Sequence, residues 1–351
     1  MTWVKQLPKL KIMVDILREP IEDPAVWKAD RFRDPTDWIY PLAPAQIGEL
    51  ETAAGEVIAS GKSAFEFSRE DFRLPTLAAV LEEQLDILEN GRGFVFLRGL
   101  DVSRYDRVTL QAIYWGVCSY LGVGISQNPQ GELMSGVTDY GDEFEGDPYV
   151  SNIRLHRTTH EIHPHTDSCD HVALLCAQPA KSGGESAVVS SLTLYNEILA
   201  THPEYLEPLC EGFHLDLVGK GTKAKELSHH PIPVFSYYGG KMSARFNKRQ
   251  IELGAEKASG GLDPQAQAAV DYLREVSMRD DFCLPMEFRA GDIQVLNNRV
   301  TFHARAAFED NPTAKRLLWR VWLNAREPRP MAPEFANQLN SGERGGVTLR
   351  A

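Results

Sequence analysis

The sequence predicts a mixed fold, mainly β with helices: a jelly-roll (double-stranded β-helix) core with a helical N-terminal region and helical insertions. Short apolar runs bounded by glycine recur from residue 93 onward. Helical periodicity dominates before that point and returns only as insertions. A last group of closely spaced strands falls between residues 283 and 324. Short antiparallel strands interrupted by helices are the pattern of a jelly roll flanked by helices rather than of a parallel α/β sheet.

In order, residues 1 to about 90 read as helical decoration, with proline-rich breaks at 20 to 44 and helical runs AQIGELETAAGEVIASG and LPTLAAVLEEQLDILENG. The second run stops at Asn90-Gly91, a C-terminal helix signal. GFVFLRGL (93 to 100) reads as a buried strand, and a helix follows at about 107 to 121. From Gly122 to His160 the chain is rich in Gly, Asn, Asp and Pro, the composition of a long loop such as an active-site lid.

Strands are expected at about 163 to 168, 172 to 178 and 186 to 191, then one helix over LTLYNEILATHPEYLEPLC. Gly239-Gly240 between alternating runs marks a hairpin, and a helix at about 264 to 278 precedes strands at 283 to 289, 292 to 297, 301 to 308 and 316 to 324. The 351 residues are expected to form a single elaborated domain, with the core at about 90 to 325 and a tail at 326 to 351.

Composition narrows the function classes. Hydrophobic residues make up 43% and charged residues 25%, an ordinary globular balance with material for a large core. The formal net charge of -12 and pI near 5.4 argue against nucleic acid as the main partner, since phosphate binding needs a basic footprint. Five cysteines, at 118, 169, 176, 210 and 283, show no C-x-x-C spacing, which points to neither a disulfide framework nor a zinc knuckle and fits a reducing cytoplasm. Lys9, Lys11 and Asp15 interrupt the N-terminal apolar residues, and no run approaches the roughly 20 apolar residues of a membrane span. The expectation is a cytoplasmic protein that acts on a small molecule, without a nucleic-acid or membrane partner. Its helical region at 1 to 90 is a candidate surface for a homo-oligomer.

The segment Glu161-Ile-His-Pro-His-Thr-Asp-Ser168 places His165 and Asp167 two residues apart, so on a strand imidazole and carboxylate share a face. His303, on a late strand of the same expected sheet, offers a third ligand. Two histidines and one carboxylate make a facial triad that leaves coordination positions open. A lone H-x-D is equally read as ordinary surface or core residues, so its setting decides. In KRLLWRVWL, Arg316 and Arg320 share one strand face, while Leu317, Trp319 and Val321 take the other. An arginine directed inward there calls for an anionic partner, either a dicarboxylate ligand or an internal carboxylate.

Together these residues resemble the taurine dioxygenase and clavaminate synthase-like superfamily of iron(II)/2-oxoglutarate oxygenases, over roughly residues 90 to 325. The resemblance rests on the G-F-V-F-L-R-G strand, H-T-D at 165 to 167, S-G-G-E-S at 182 to 186, N-N-R-x-x-x-H at 297 to 303 and the R-x-x-x-R pair. It implies iron(II), 2-oxoglutarate and dioxygen as cofactor and cosubstrates, with His165, Asp167 and His303 as metal ligands. Arg316 is implied as the partner of the distal 2-oxoglutarate carboxylate, and Ser186 falls where the family usually carries a threonine on that same group. Arg320 is implied near the cosubstrate or the substrate. The implied reaction hydroxylates or otherwise oxidises an unactivated C–H bond, with release of succinate and carbon dioxide.

Two alternatives share the same residues. His163, His165 and Asp170 imitate a cupin spacing, which would make a metal-dependent dioxygenase or isomerase that does not use 2-oxoglutarate. A non-catalytic jelly-roll binding protein would keep the fold alone. As substrate contacts the candidates are Gln127 and Asn128 in SQNPQG, Arg245 in SARFN, Arg320, and Glu161, whose carboxylate would meet a cationic group. Paired with Arg320 or Arg245, Glu161 would suit an amino acid or a related zwitterion. Gln127 and Asn128 equally read as an Asn-Pro turn, Arg245 as part of a surface strand, and Glu161 as a solvated glutamate.

Overall fold

The computed structural model describes residues 16–142, 154–217 and 227–348. The N-terminal part holds strand β1 (Ile39–Pro41), helices α1 (Pro44–Ala59) and α2 (Leu77–Asn90), strand β2 (Phe94–Arg98) and helix α3 (Arg107–Leu121). Strands β3 (Val123–Ile125), β4 (Met134–Val137), β5 (Ile162–His165), β6 (His171–Gln178), β7 (Ser182–Gly183) and β8 (Ser186–Ser190) follow. Next come α4 (Ser191–Thr201), α5 (Leu206–Glu211), the hairpin β9 (Phe235–Tyr238) and β10 (Lys241–Ala244), and helices α6 (Lys248–Ser259) and α7 (Pro264–Ser277). The chain closes with β11 (Cys283–Met286), β12 (Ile293–Asn297), β13 (Thr301–Arg305), β14 (Phe308–Glu309), β15 (Leu317–Asn324) and α8 (Pro333–Ala336).

A seven-stranded sheet runs β1-β2-β12-β6-β15-β3, with β4 also on β15, and a four-stranded sheet runs β11-β8-β13-β5. Apart from the parallel β1–β2 pair, neighbours in these sheets are antiparallel. The side-chain alternation of β2 defines the layers. Phe94 and Phe96 enter one apolar cluster with Val188, Val189 and Phe302 of the smaller sheet. Val95 and Leu97 enter a second cluster with Leu50, Leu81 and Ile113 of the N-terminal helices. The large sheet is therefore covered on both faces, which explains why β2 reads as an unbroken apolar run. The double-stranded β-helix expected from sequence is the fold observed, with α1 to α3 backing the larger sheet.

Three details differ from the sequence-based expectations, and a fourth lies outside the described residues. The stretch 122 to 160 is not loop throughout, because Val123–Ile125 and Met134–Val137 pair with β15. Most of the acidic segment expected there as a lid (143–153) lies outside the described residues. The helix after Ser190 breaks at His202-Pro203 into α4 and α5, as a proline cannot donate the helical hydrogen bond and its neighbour avoids helical torsions. Helix α6 was not expected. Its sequence KRQIELGAEKAS is polar, with Ile251, Gly254 and Ala255 forming its buried residues, but Asn247 caps it by accepting from the Gln250 amide.

The C-terminal segment folds back onto the core. Arg344 Nε donates to Asp170 Oδ2 at 2.9 Å, and Arg299 Nη2 donates to Oδ1 at 2.8 Å. Burial pushes the Asp170 carboxyl up, but the two guanidinium groups more than offset this and hold it at about 2. The tail residues Phe335, Leu339 and Val347 are buried.

Phe94 contacts Trp27, Phe32 and Trp38 edge to face, at centroid distances of 5.4, 5.3 and 6.1 Å. It ties the N-terminal segment to the inner face of the large sheet. Phe94→Ala is expected to destabilise the fold by about 3 to 5 kcal/mol, read from chemical denaturation followed by circular dichroism.

Candidate active site

The site begins with strand register. Strand β13 pairs antiparallel with β5 so that His303 lies directly opposite His165. Their rings are 4.3 Å apart between centroids. Beyond β5 the chain leaves the strand at Thr166, whose amide donates to the Phe246 carbonyl at 2.8 Å, and Asp167 lies in the resulting turn. Asn298 Oδ1 accepts from the Asp167 amide at 3.2 Å. One ligand atom from each of His165, Asp167 and His303 lies within 4.8 Å of the others, the spacing at which the three can hold a single ion.

Two of the candidate ligands, His165 and Asp167, are oriented by further contacts. His165 Nδ1 lies 2.9 Å from the His163 carbonyl, so Nδ1 carries the proton and donates, leaving Nε2 as the electron-pair donor. Asp167 Oδ2 accepts from Trp322 Nε1 at 3.0 Å and from Arg320 Nη1 at 3.1 Å. Burial, together with the neighbouring His165, pushes the His303 imidazole down to about 3, so it is neutral and able to ligate across the physiological range.

These residues lie in a cavity of about 570 Å³. Ser186 and Arg316 line it from β8 and from the residue preceding β15. Arg316 is 3% exposed, donates through Nη2 to the Gly184 carbonyl at 3.2 Å and lies over the Phe308 ring. Its Nη1 is buried without a hydrogen-bond partner among the described residues. Burial pushes the Arg316 guanidinium down to about 10, still cationic at neutral pH. A fully buried cation with an unused donor fits a carboxylate ligand, which would accept in a charge-assisted pair. Ser186 Oγ has a long contact of 3.4 Å to Gln294. The S-G-G-E-S motif also has a steric reason. Gly184 has φ +76°, and a Cβ there would lie 2.9 Å from Arg316 Nε.

Other sequence-selected residues fall elsewhere. Gln127 lines the cavity, but its Oε1 accepts from Arg320 Nε at 2.8 Å and its Nε2 donates to two backbone carbonyls. Arg320 also lines the cavity and is held between Gln127 and Asp167. Asn128 organises its own turn, accepting from the Gln130 amide and donating to Glu132, and is not among the cavity-lining residues. Arg245 is buried behind the wall, where it donates to Gln338, Ser168 and Gln250. Burial pushes it down to about 9. Glu161 is exposed beside the His163 ring rather than on the wall. The cupin set does not assemble, because Asp170 is enclosed by Arg299 and Arg344.

Sequence reasoning passed over several wall residues. His156 lines the cavity, where burial and the nearby Arg320 and Arg154 hold its imidazole well below its usual range. Arg154, Lys248, Arg249 and Arg274 also line it. Trp322 and Asn298, which fix Asp167, were visible within the KRLLWRVWL and N-N-R motifs that had already been singled out.

The jelly roll, the triad and a buried cation beside it define a non-haem iron oxygenase. The family model "Taurine catabolism dioxygenase TauD, TfdA family" matches residues 58–322, and the chain belongs to this family. It is an iron(II)- and 2-oxoglutarate-dependent dioxygenase. The chain is 28% identical to FR-33289 synthase of Streptomyces rubellomurinus over 322 residues, covering 90% of this chain and 94% of that protein. It is 29% identical to the taurine hydroxylase-like protein SAT17 of Stachybotrys chartarum, covering 86% and 79% respectively. Among solved structures, asparagine oxygenase in complex with Fe(II), 2S,3S-3-hydroxyasparagine and succinate superposes with a TM-score of 0.63 at 16% identity, over 82% of this chain and 93% of that one. The non-heme iron oxygenase OrfP with Fe, succinate and (3R,4R)-dihydroxy-L-Arg gives 0.61 at 16% identity, over 84% and 99%. These two likenesses concern the fold.

No helix of the described residues is long and apolar enough to cross a membrane. Alanine at position 184 would place a side chain in the left-handed region and press on Arg316. Gly184→Ala is expected to lower stability by about 1 to 2 kcal/mol from the torsional cost alone, measured by denaturant unfolding.

Proposed function

We propose that this dioxygenase oxidises an unactivated C–H bond of an amino acid or a related zwitterion, with His165, Asp167 and His303 holding the iron. The observation that carries the reading is the convergence of three ligand atoms with a buried arginine whose Nη1 has no hydrogen-bond partner among the described residues, all in one cavity. Bound iron(II) with 2-oxoglutarate and dioxygen supplies the oxidising chemistry, the cosubstrate leaving as succinate and carbon dioxide.

The residues of the chain do the rest. Arg316 pairs with the distal carboxylate of 2-oxoglutarate, and Ser186 adds one hydroxyl donor from β8 in the other sheet. Arg320 and Trp322 orient the Asp167 carboxylate, and Gln127 fixes Arg320. Apolar Val137, Leu174, Phe288 and Leu318 on the same wall limit water around the reacting centre. Both charge signs line the cavity, with Asp216 and Glu252 facing it alongside the arginines, as a zwitterion requires. Glu161 is not needed for this role. The ligands bound to asparagine oxygenase and OrfP, a hydroxylated asparagine and a hydroxylated arginine, agree with the substrate class.

A screen of amino acids and related zwitterions for substrate-stimulated succinate formation tests the substrate class, and stimulation only by compounds lacking an amine would overturn it. Alanine at His165, Asp167 or His303 is expected to abolish iron-dependent turnover while circular dichroism stays native. Wild-type turnover by His303→Ala would refute the triad. Arg316→Ala is expected to weaken 2-oxoglutarate binding to the anaerobic iron(II) enzyme by roughly a hundredfold or more, since truncating one partner of a buried charged pair costs about 3 to 5 kcal/mol. Ser186→Ala loses one hydrogen bond to a charged group and is expected to cost about 1 to 2 kcal/mol in the same titration.

A further inference from the structure

We propose that Gln338 is a positioning residue for the metal site: its side chain holds the Arg245 guanidinium away from the Asp167 carboxylate and so leaves that carboxylate to the iron. The role rests on the triad reading above and falls to a residue beyond position 322, where the match to the family model ends.

Asp167 lies in the stretch 166–170, which is pinned at both ends. At one end the Thr166 amide donates to the Phe246 carbonyl at 2.8 Å, and the Phe246 amide donates to Thr166 Oγ1 at 3.1 Å. Arg245, the residue before Phe246, donates through Nη2 to Ser168 Oγ at 3.3 Å and to Gln250 Oε1 at 2.9 Å. At the other end Asp170 accepts from Arg299, Arg344 and the Ala325 amide. The position of Arg245 is therefore one of the supports of the turn that carries the third candidate ligand.

Arg245 is 2% exposed, and its side-chain acceptors on Gln338, Ser168 and Gln250 are all neutral. A buried guanidinium held only by neutral groups is drawn to any negative charge within reach, because its burial is costly. The carboxylate whose charge acts on Arg245 is Asp167. Against that pull stands the bond from Arg245 Nε to Gln338 Oε1, at 2.8 Å the shortest of the three contacts. Its loss frees the guanidinium to swing toward Asp167, where a second cation beside Arg320 would compete with a metal ion for the same oxygens.

Gln338 is itself firmly placed. It is 4% exposed and lies between the buried Phe335 and Leu339. The Arg344 amide donates to the Ala336 carbonyl at 3.0 Å, and Asn340 Nδ2 donates to the Leu227 carbonyl at 2.8 Å. Asn340 and Arg344 hold left-handed backbone, with φ of +57° and +55°, which residues with side chains keep where their surroundings enforce it. The segment after α8 thus reaches the metal turn twice, through Gln338–Arg245–Ser168 and through Arg344–Asp170.

The test is anaerobic calorimetric titration of iron(II) into the metal-free full chain, with unfolding midpoints measured alongside. Gln338→Leu removes the acceptor at nearly constant volume and is expected to weaken iron(II) binding about tenfold or more, the usual scale for groups that orient a ligand from behind. Gln338→Glu restores an acceptor for Arg245 Nε and is expected to stay within about threefold of the wild type. At saturating iron(II), both variants are expected to bind 2-oxoglutarate within about twofold of the wild type, because Arg316 is held at Gly184, outside this network. Unchanged iron(II) affinity in Gln338→Leu, whatever its unfolding midpoint, would mark a merely structural residue and overturn the role, as would an equal loss in Gln338→Glu. If Gln338→Leu does not fold, Gln338→Asn withdraws the amide by one methylene and must weaken iron(II) binding by at least about threefold. Failure of both to fold would also refute the proposal. Equal iron(II) binding by the wild type and His303→Ala would instead overturn the triad itself.

Discussion

The antiparallel register of β5 and β13, with His165 opposite His303, is the constraint on which the site depends. A one-residue slip in either strand would send one imidazole to the opposite face of the sheet. The neighbouring strands hold the register. Strand β13 is paired along its length with β8, from Thr301 opposite Ser190 to Arg305 opposite Ser186. The same pairing carries Ser186 to the cavity end, so the strand that aligns the second histidine also brings a hydroxyl to the cavity wall. Asp167 is set differently. It lies past the end of β5, and its carboxylate is fixed by Arg320 and Trp322 from β15 in the other sheet. The candidate metal site is thus a junction of both sheets, with two of its three residues from one and the groups that orient the third from the other.

Two aspartates three residues apart have opposite uses. Asp170 is enclosed by Arg299, Arg344 and the Ala325 amide, which saturates it with donors. Asp167 Oδ2 accepts from one guanidinium and one indole, and the carboxylate faces the cavity together with the two imidazoles. Burying a carboxylate costs several kcal/mol unless charge and hydrogen bonds offset it, and Asp170 meets that requirement entirely within the protein. The interaction anchors the C-terminal segment beside the metal turn.

Much of this was legible in sequence because strands carry their facing in alternation. His165, Asp167, Arg316 and Arg320 all line the cavity, but β5 ends at His165 with Asp167 in the turn beyond it and Arg316 precedes β15, so the expected strand facing does not by itself account for their convergence. The order of the β-strands around 93 to 100, 172 to 178 and 316 to 324 was readable from that alternation. What periodicity could not convey was the use of polar side chains by one another. Arg245 and Asn128 look available in sequence, but one is consumed by Gln338, Ser168 and Gln250 and the other by its own turn. Helix α6 escaped notice because it buries only a narrow stripe, and its cap, Asn247, is recognisable only once the helix is suspected.

The cavity has an asymmetry that follows from this division of labour. The sheet residues around the triad are rigid by construction, since each sits in a paired strand or is pinned by a buried partner. The opposite wall belongs to helices inserted between β10 and β11, which touch the metal strand through Thr166–Phe246 and through His163–Arg274. An inserted helix pair can change its side chains without disturbing strand register, whereas a change in β5, β13 or β15 moves a ligand or its support. The candidate ligands and the helical wall therefore lie on structurally separable parts of one pocket. Substitutions in the first turn of α6 or the last turn of α7 can alter which molecule is held while the geometry at His165, Asp167 and His303 stays in place.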